Sequence, residues 1–283
     1  MRHVIIDGKQ IAEEIIEKLK RHTKPEKFIG VVSIQKNGAS EKFIEQKKRI
    51  AELLEIDFRV YTFSELISTD QLKKNIEDIA KEKNCGGIIV QLPLPEHLNR
   101  EQILNLIPKE KDVDVLSRSA YEQFLNNQEV CPPSVSTFCE ILSRYQRLEN
   151  VSCKTFAVVG NGFLVGKPIS DYLKLKRKQI IILDKGEDLS SIENADVIIL
   201  GTGVPNIVNR TMIKDGALVV DFGCSFIDGK LCGDLEQLKI ENLPAGRQGC
   251  KLKISYTPTP GGTGPILVAK LFENFYTLNK KSP

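Results

Sequence analysis

Phe43 and Lys47 stand four residues apart in a stretch where Phe43, Ile44, Lys47, Ile50, Ala51 and Leu54 recur at helical spacing. A ring and an amine therefore project from one face of one helix. Most helical lysines merely solvate; one drawn out of water has its pKa lowered and can exchange a proton. Gln91 ends the apolar run Gly87-Ile88-Ile89-Val90, where a polar group must find a partner. It is either a hydrogen-bonded core amide or an orienting group at a strand end. Asp114, closing the loop Lys111-Asp112-Val113-Asp114, is either a ligand acceptor or a turn residue.

A second set of residues suits an anion. Thr155-Phe156-Ala157-Val158-Val159 breaks into Gly160-Asn161-Gly162-Phe163-Leu164-Val165-Gly166-Lys167-Pro168 and reopens as a helix through Ile169, Tyr172 and Leu173. Bare backbone N–H groups and a helix N-terminus can face a pyrophosphate there. Glycines at 160, 162 and 166 make the spacing one residue longer than the usual dinucleotide fingerprint, so an ordinary strand–helix turn is the alternative. Asp184, after the strand over 179–183, can accept hydrogen bonds from an adenosine ribose and repel a 2′-phosphate, or can be a solvated acid. Lys185 beside it softens that discrimination. A third stretch, Thr257-Pro258-Thr259-Pro260-Gly261-Gly262-Thr263-Gly264-Pro265, fixes an unusual backbone path before the last helix. It brings backbone amides to a ligand or forms a rigid corner.

The elements that must hold these residues alternate. Short apolar runs predict strands over 4–6, 28–34, 58–63 and 87–92. Helical spacing falls between them, at Ile11, Ile15, Ile16 and Leu19, at Phe43 onwards, and at Leu72, Ile76, Ile79 and Ala80. Lys36-Asn37-Gly38-Ala39 reads as a turn and Ser40 as a helix cap. A helix is expected near 103–107 and a connecting helix through Phe138, Ile141, Leu142 and Tyr145. Beyond residue 150, strands are expected at 155–159, 179–183, 196–200 and 217–222. Asp228-Gly229 is a turn, 242–249 a polar loop, and Pro265 opens the last helix as its first residue. Alternating strand and helix argues for parallel α/β architecture.

The chain's 283 residues are enough for about two domains. A net charge of +3, with acids and bases intermixed, gives no reason to expect nucleic acid. No apolar run approaches a membrane span, and the start, Met1-Arg2-His3-Val4-Ile5-Ile6-Asp7-Gly8, is too short and polar for a signal peptide. The seven cysteines are scattered without a C-x-x-C pair and the three histidines lie far apart. Reduced thiols in a cytoplasm and no metal site are the expectation.

Together these segments resemble the bifunctional methylenetetrahydrofolate dehydrogenase/methenyltetrahydrofolate cyclohydrolase family. The residues that carry the resemblance run in register from Asp7-Gly8-Lys9 and Ala39-Ser40 through Lys47, to Val90-Gln91-Leu92-Pro93-Leu94-Pro95 and Lys111-Asp112-Val113-Asp114. They continue through the glycine loop, Gly201-Thr202-Gly203-Val204-Pro205, Asp221-Phe222-Gly223, Gly233-Asp234 and Pro260-Gly261-Gly262-Thr263-Gly264-Pro265. The resemblance implies two α/β domains flanking a cleft, the second a Rossmann-like doubly wound parallel sheet. A folate-binding catalytic domain would cover 1–135, joined by the last helix at about 265–283, and an NAD(P)-binding domain 136–264. It implies Lys47 as catalytic lysine, Gln91 as its orienting partner and Asp114 as the pterin-binding carboxylate. Phe43, Leu92, Pro93, Pro260, Gly261 and Gly262 would complete the substrate site. Gly160, Asn161, Gly162, Val165, Gly166, Pro168, Asp184, Thr202, Gly203 and Cys224 would line the cofactor site. A tetrahydrofolate derivative as substrate, NADP or NAD as cofactor, and a homodimer are also implied.

The chain departs from the family pattern at several positions. Phe43 replaces the family's tyrosine four residues before the lysine, keeping the ring without the hydroxyl. Asn161 and Gly162 replace the arginine and serine that favour NADP. Val115 replaces a glycine, the string Val130-Cys131-Pro132-Pro133-Ser134-Val135 departs from P-C-T-P-x-G, and 242–249 looks inserted. Two alternatives to the bifunctional reading follow: a dehydrogenase without useful hydrolase activity, and a non-catalytic folate- or dinucleotide-binding protein.

Overall fold

The computed structural model of the chain describes residues 4–34, 38–236 and 254–280, with the backbone alone at 38–40. Lys36 and Asn37, the Ser40 side chain and the loop 242–249 lie outside the described residues. The chain opens with β1 (Val4–Ile5) and α1 (Gly8–Lys20), then runs β2 (Phe28–Ser33), α2 (Gly38–Leu53), β3 (Phe58–Thr62), α3 (Thr69–Lys81) and β4 (Cys85–Val90). Three helices follow: α4 (Arg100–Leu104), α5 (Arg118–Asn127) and α6 (Pro133–Glu149). The second series is β5 (Thr155–Val159), α7 (Gly166–Leu175), β6 (Gln179–Leu183), β7 (Val197–Leu200) and β8 (Leu218–Asp221). The hairpin β9 (Ser225–Ile227) and β10 (Lys230–Cys232), β11 (Ser255–Tyr256) and α8 (Thr263–Leu278) complete it.

The chain divides into two compact units, one of residues 1–11 and 134–267, the other of 12–133 and 268–283. In the second, β3-β2-β4 form a parallel sheet. Every residue of β2 and β4 is buried, which is why both read as unbroken apolar runs. Edge strand β3 is only partly covered. Helix α3 starts in a capping box, with the Ser68 hydroxyl accepting from the Gln71 N–H and the Gln71 side chain from the Ser68 N–H, and it buries Leu72, Ile76 and Ile79.

The first unit holds a six-stranded, wholly parallel sheet in the order β1-β11-β8-β7-β5-β6. This is a Rossmann-like α/β arrangement. The chain leaves β5 for β6 on one side and returns to β7 on the other, so the strand order reverses at β5, where ligands of such sheets bind. Ala157, Val159, Ile198, Leu200, Val219 and Tyr256 share its core. Each of the valine, isoleucine and leucine side chains among them contributes roughly 1.5–3 kcal/mol on burial.

Five details differ from the sequence reading. β1 pairs with β11, so residues 1–11 go with the six-stranded sheet and not with the 1–135 segment; a two-residue strand needs a neighbour to satisfy its backbone. β4 ends at Val90, although the Gln91 N–H still donates to the Val32 carbonyl at 2.9 Å. Helix α4 starts earlier than 103, because the Asn99 carboxamide accepts from the Gln102 N–H. Helix α8 begins at Thr263, so Pro265 is its third residue; the Thr263 hydroxyl donates to the Asp221 carbonyl at 2.9 Å and fixes that start. Helix α5, the hairpin and β11 carry too few apolar residues to be anticipated.

Candidate active site

Lys47 lies on the inward stripe of α2, in register with half-buried Ile44 and buried Ala51 and Leu54. The amine therefore occupies a position where helical packing calls for an apolar group. Its Nζ donates to Gln91 Oε1 at 3.0 Å, and Gln91 Nε2 donates to the Leu92 carbonyl at 2.9 Å. Both ends of the carboxamide are thus fixed, and Gln91 presents an acceptor to the lysine. Phe43, one turn earlier on α2, is 39% exposed, so its ring face is open to a ligand.

Asp114 reaches this site because the segment before it runs beside β4. The Ile88 N–H donates to the Lys111 carbonyl at 2.7 Å, and Ile88 and Asp112 form a parallel bridge. Lys111 Nζ donates to the Ala80 carbonyl at 2.6 Å. Asp112 is buried, and its Oδ2 accepts from the N–H groups of Leu116 at 3.0 Å and Ser117 at 2.7 Å, which ties down the turn. Burial pushes the Asp112 carboxyl up to about 6. Val115 closes the turn at φ 57°, a left-handed conformation that a β-branched residue adopts only under strain. Asn274 of α8 donates to the carbonyls of Val113 at 2.9 Å and Cys131 at 2.8 Å.

The electrostatics of Lys47 and Asp114 are mutual. Desolvation lowers the Lys47 pKa, and the Asp114 charge works against that shift. Desolvation raises Asp114, and Lys47 works against that in turn. An amine whose charged form is disfavoured, beside a carboxyl whose charged form is disfavoured too, is placed to exchange a proton with a ligand. Lys47, Gln91 and Asp114 are therefore brought together, with Leu92 half-buried and Pro93 exposed beside Gln91. The Leu92–Pro93 peptide bond is cis.

In the first unit, the glycine loop leaves β5 and enters α7. Gly160 has φ 89°, and a Cβ there would stand 2.8 Å from the Gly201 carbonyl oxygen and 2.9 Å from the Thr202 nitrogen. A Cβ at Gly166 would overlap the Gly160 carbonyl. Gly162 is different: a Cβ would meet only the Gly201 carbonyl, at 3.9 Å, so the outer side of the loop is open. Val165 offers α7 no side-chain cap, and Gly166 and Pro168 are buried in its first turn. An uncapped helix N-terminus behind an open glycine loop fits a pyrophosphate.

Asp184 is exposed just past β6. Its Oδ1 accepts from the Lys185 N–H at 2.9 Å and its own N–H donates to Glu187 Oε2 at 2.5 Å. Thr202 and Gly203 follow β7, and Cys224 is exposed after β8, its thiol raised by burial and by the Asp221 and Asp234 charges. At the 257–265 string, Gly261 has φ 100°, a Cβ on Gly8 would overlap the Gly262 carbonyl, and a Cβ on Gly262 would crowd the Pro258 carbonyl and the Thr257 side chain. Close backbone packing thus accounts for Gly262 by itself, and Pro260 is exposed. Sequence reasoning picked out Gly233-Asp234 only as part of the resemblance and gave Asp234 no role; its carboxylate holds the turn at Thr202, a contact between distant residues that no local pattern marks.

Two family profiles match the chain. One, "Tetrahydrofolate dehydrogenase/cyclohydrolase, catalytic domain", covers residues 6–114; the other, "Tetrahydrofolate dehydrogenase/cyclohydrolase, NAD(P)-binding domain", covers 132–282. The chain is 32% identical over 281 residues to a bifunctional protein FolD of Clostridium tetani, covering 96% of this chain and 97% of that relative. In structure it resembles a bifunctional FolD methylenetetrahydrofolate dehydrogenase/cyclohydrolase of Campylobacter jejuni, with a TM-score of 0.86, 28% identity and 98% of each chain covered. A bifunctional 5,10-methylenetetrahydrofolate dehydrogenase/cyclohydrolase of Thermoplasma acidophilum gives a TM-score of 0.85 at 26% identity, over 97% of each chain.

Proposed function

This chain belongs to the tetrahydrofolate dehydrogenase/cyclohydrolase family, and from that premise we propose how its own residues perform the two reactions. The enzyme oxidises 5,10-methylenetetrahydrofolate to 5,10-methenyltetrahydrofolate with a nicotinamide dinucleotide and hydrolyses the product to 10-formyltetrahydrofolate, in one-carbon metabolism. The observation that carries the assignment of roles is the Lys47–Gln91 hydrogen bond of 3.0 Å beside Asp114.

When bound, the nicotinamide accepts the hydride. The reacting carbon lies between two nitrogens, whose lone pairs stabilise the cation left behind, so the protein's task in this step is positioning. Phe43 stacks on the pterin, Asp114 hydrogen-bonds its ring, and Leu92 and Pro93 complete its surroundings within that unit. The hydrolytic step needs a proton carrier. Lys47, its pKa lowered by desolvation, takes a proton from the attacking water as neutral amine and returns it to the departing nitrogen as the C–N bond breaks; the hydroxyl proton left on the adduct passes to solvent as the formyl C=O forms. Gln91 Oε1 holds the amine in place through that exchange.

The units take the ligands separately in this reading: the one with Lys47 holds folate and the one with the glycine loop holds the dinucleotide. Gly160, Asn161, Gly162, Val165, Gly166 and Pro168 receive the pyrophosphate, Asp184 the adenosine ribose, and Thr202, Gly203 and Cys224 the nicotinamide end. Asp184 and Glu187 put carboxylates where a 2′-phosphate would need cations, and Asn161 supplies no charge, so NAD is the preferred cofactor. We also propose a homodimer in a cytoplasm. None of the six described cysteines forms a disulfide, as in a reducing compartment; the dimer rests on the family resemblance alone, and sedimentation tests it.

Absorbance on mixing the protein, methylenetetrahydrofolate and either NAD or NADP tests the reading. Hydride transfer with NAD the better substrate is expected; transfer with NADP alone overturns the cofactor choice. A second reading rests on Phe43, which has no hydroxyl to relay a proton: hydrolysis is then the slower activity. Hydrolysis of methenyltetrahydrofolate no slower than in relatives bearing a tyrosine at this position contradicts that expectation.

A further inference from the structure

Asp221 and Asp234 are each fully buried. Asp221, the last residue of β8, has its backbone held on both sides: its N–H donates to the Thr257 hydroxyl at 2.8 Å and its carbonyl accepts from the Thr263 hydroxyl at 2.9 Å. Its carboxyl accepts from the N–H groups of Gly223 at 2.7 Å, Leu235 at 3.0 Å and Asp234 at 3.3 Å. Asp234 in turn accepts, through Oδ2, from the Thr202 N–H at 2.6 Å, the Thr202 hydroxyl at 2.8 Å and the Gly203 N–H at 3.3 Å. Its Oδ1 is buried and has no hydrogen-bond partner among the described residues.

Two glycines exist to admit these carboxyls. A Cβ on Gly223 would overlap Asp234 Oδ1, and one on Gly233 would overlap Asp221 Oδ2. The turn that Asp234 holds is the same one against which the glycine loop packs, since a Cβ at Gly160 would meet Gly201 and Thr202. A continuous chain of contacts therefore runs from the end of β8 through Asp221, the 233–235 segment and Asp234 to the turn at 202–203 and the glycine loop.

We propose that Asp221 and Asp234 are a positioning pair for the dinucleotide: Asp234 locks the 202–203 turn against the glycine loop, and ionisation of Asp221, enclosed beside it, loosens that lock and weakens binding. This rests on the reading that the glycine loop and the 202–203 turn receive the dinucleotide. Asp221 lies beside Asp234 out of water, and burial followed by the Asp234 charge pushes it up to about 7 despite its backbone donors. Among the described residues, the titratable groups facing the pair are the two acids themselves and the Cys224 thiol; Thr202, Thr257, Thr259 and Thr263 supply only hydroxyls. No ion pair to either carboxylate occurs among the described residues. A second negative charge in this enclosure repels the first, and the 233–235 segment, bonded to both, is what gives way.

The experiment is the dissociation constant of NADH, read by its fluorescence across pH 6–8.5, in the wild type and in Asp221→Asn. NADH is used because its own charges are constant over that range, whereas a 2′-phosphate titrates within it. The wild type is expected to weaken by about tenfold, the effect of roughly one buried charge interaction, as pH rises through 7. Asp221→Asn, which cannot ionise, is expected to show no such slope. A flat wild-type profile overturns the proposal, as does a slope that persists in the variant. Should the variant not fold, the wild-type melting temperature decides. A raised carboxyl pKa stabilises the fold at low pH and loses that contribution as pH rises from the ordinary carboxyl range to about 7, so a melting temperature that does not fall over that rise overturns it. Gly162→Val separates this from the underlying reading. If that variant binds NADH as the wild type does, the glycine loop is not the dinucleotide site; if it loses binding while the wild-type profile is flat, only the acid pair is refuted.

Discussion

Desolvation acts on Lys47 with Asp114 and on Asp221 with Asp234 by the same physics, but the two sets are satisfied differently. Lys47 and Asp114 carry opposite charges, stay half-buried, and Lys47 bonds to another side chain, Gln91. Asp221 and Asp234 are both acids, are fully enclosed, and are bonded mainly to backbone N–H groups. A reachable pair of opposite sign can exchange protons with a ligand. An enclosed pair of acids shapes the loops around it. Burial of an ionisable group is therefore a weak guide to catalysis until its partners are known.

Replacing one member of the reachable pair should have the larger chemical effect. Asp114→Asn removes a charged acceptor, and folate KM is expected to rise by roughly ten- to hundredfold, the range of one charge-assisted hydrogen bond. It also removes the charge that opposes the fall in Lys47's pKa, so the rising limb of the hydrolysis pH profile should move to lower pH. An unchanged limb would show that the two groups do not communicate.

The glycine loop sharpens the contrast on the architectural side. Gly160→Ala meets both a φ of 89° and the Gly201 carbonyl at 2.8 Å, and should cost about 1–3 kcal/mol of stability by chemical denaturation. Gly162→Ala meets open space and should cost under about 0.5 kcal/mol while raising cofactor KM. Equal losses at both sites would remove the distinction between a glycine needed by the fold and one left open for a ligand. The smallest effect belongs to Phe43→Tyr. On an exposed ring it should leave stability alone and raise hydrolysis by about two- to tenfold, with hydride transfer unchanged in the same preparation.

How much of this was legible in the sequence depends on how local the cause is. Strands 155–159 and 179–183 coincide with β5 and β6 because an apolar run between polar turns is a local signal. Lys47 was legible because it interrupts an apolar helical stripe, and Gln91 because it ends an apolar strand. Helix α5 was not, since only Ala120 and Phe124 are buried along it and Ser117 caps it among charged neighbours. The pairing of β1 with β11 joins residues about 250 apart, and no local pattern encodes such a contact. Asp234 acts through backbone donors at 202 and 203, again a distant relation. Val115 is the opposite case: its substitution for a glycine could be seen, but its left-handed φ could only be found in the structure.

The central claim is that Lys47 serves hydrolysis as a proton carrier and serves hydride transfer only by position. It is tested by assaying both reactions on one preparation of Lys47→Ala. Hydrolysis of methenyltetrahydrofolate should fall by about 10²-fold or more, while hydride transfer at saturating folate and NAD falls by less than about tenfold. Equal loss of both activities in a folded protein that still binds folate, or hydrolysis that survives the substitution, would contradict it.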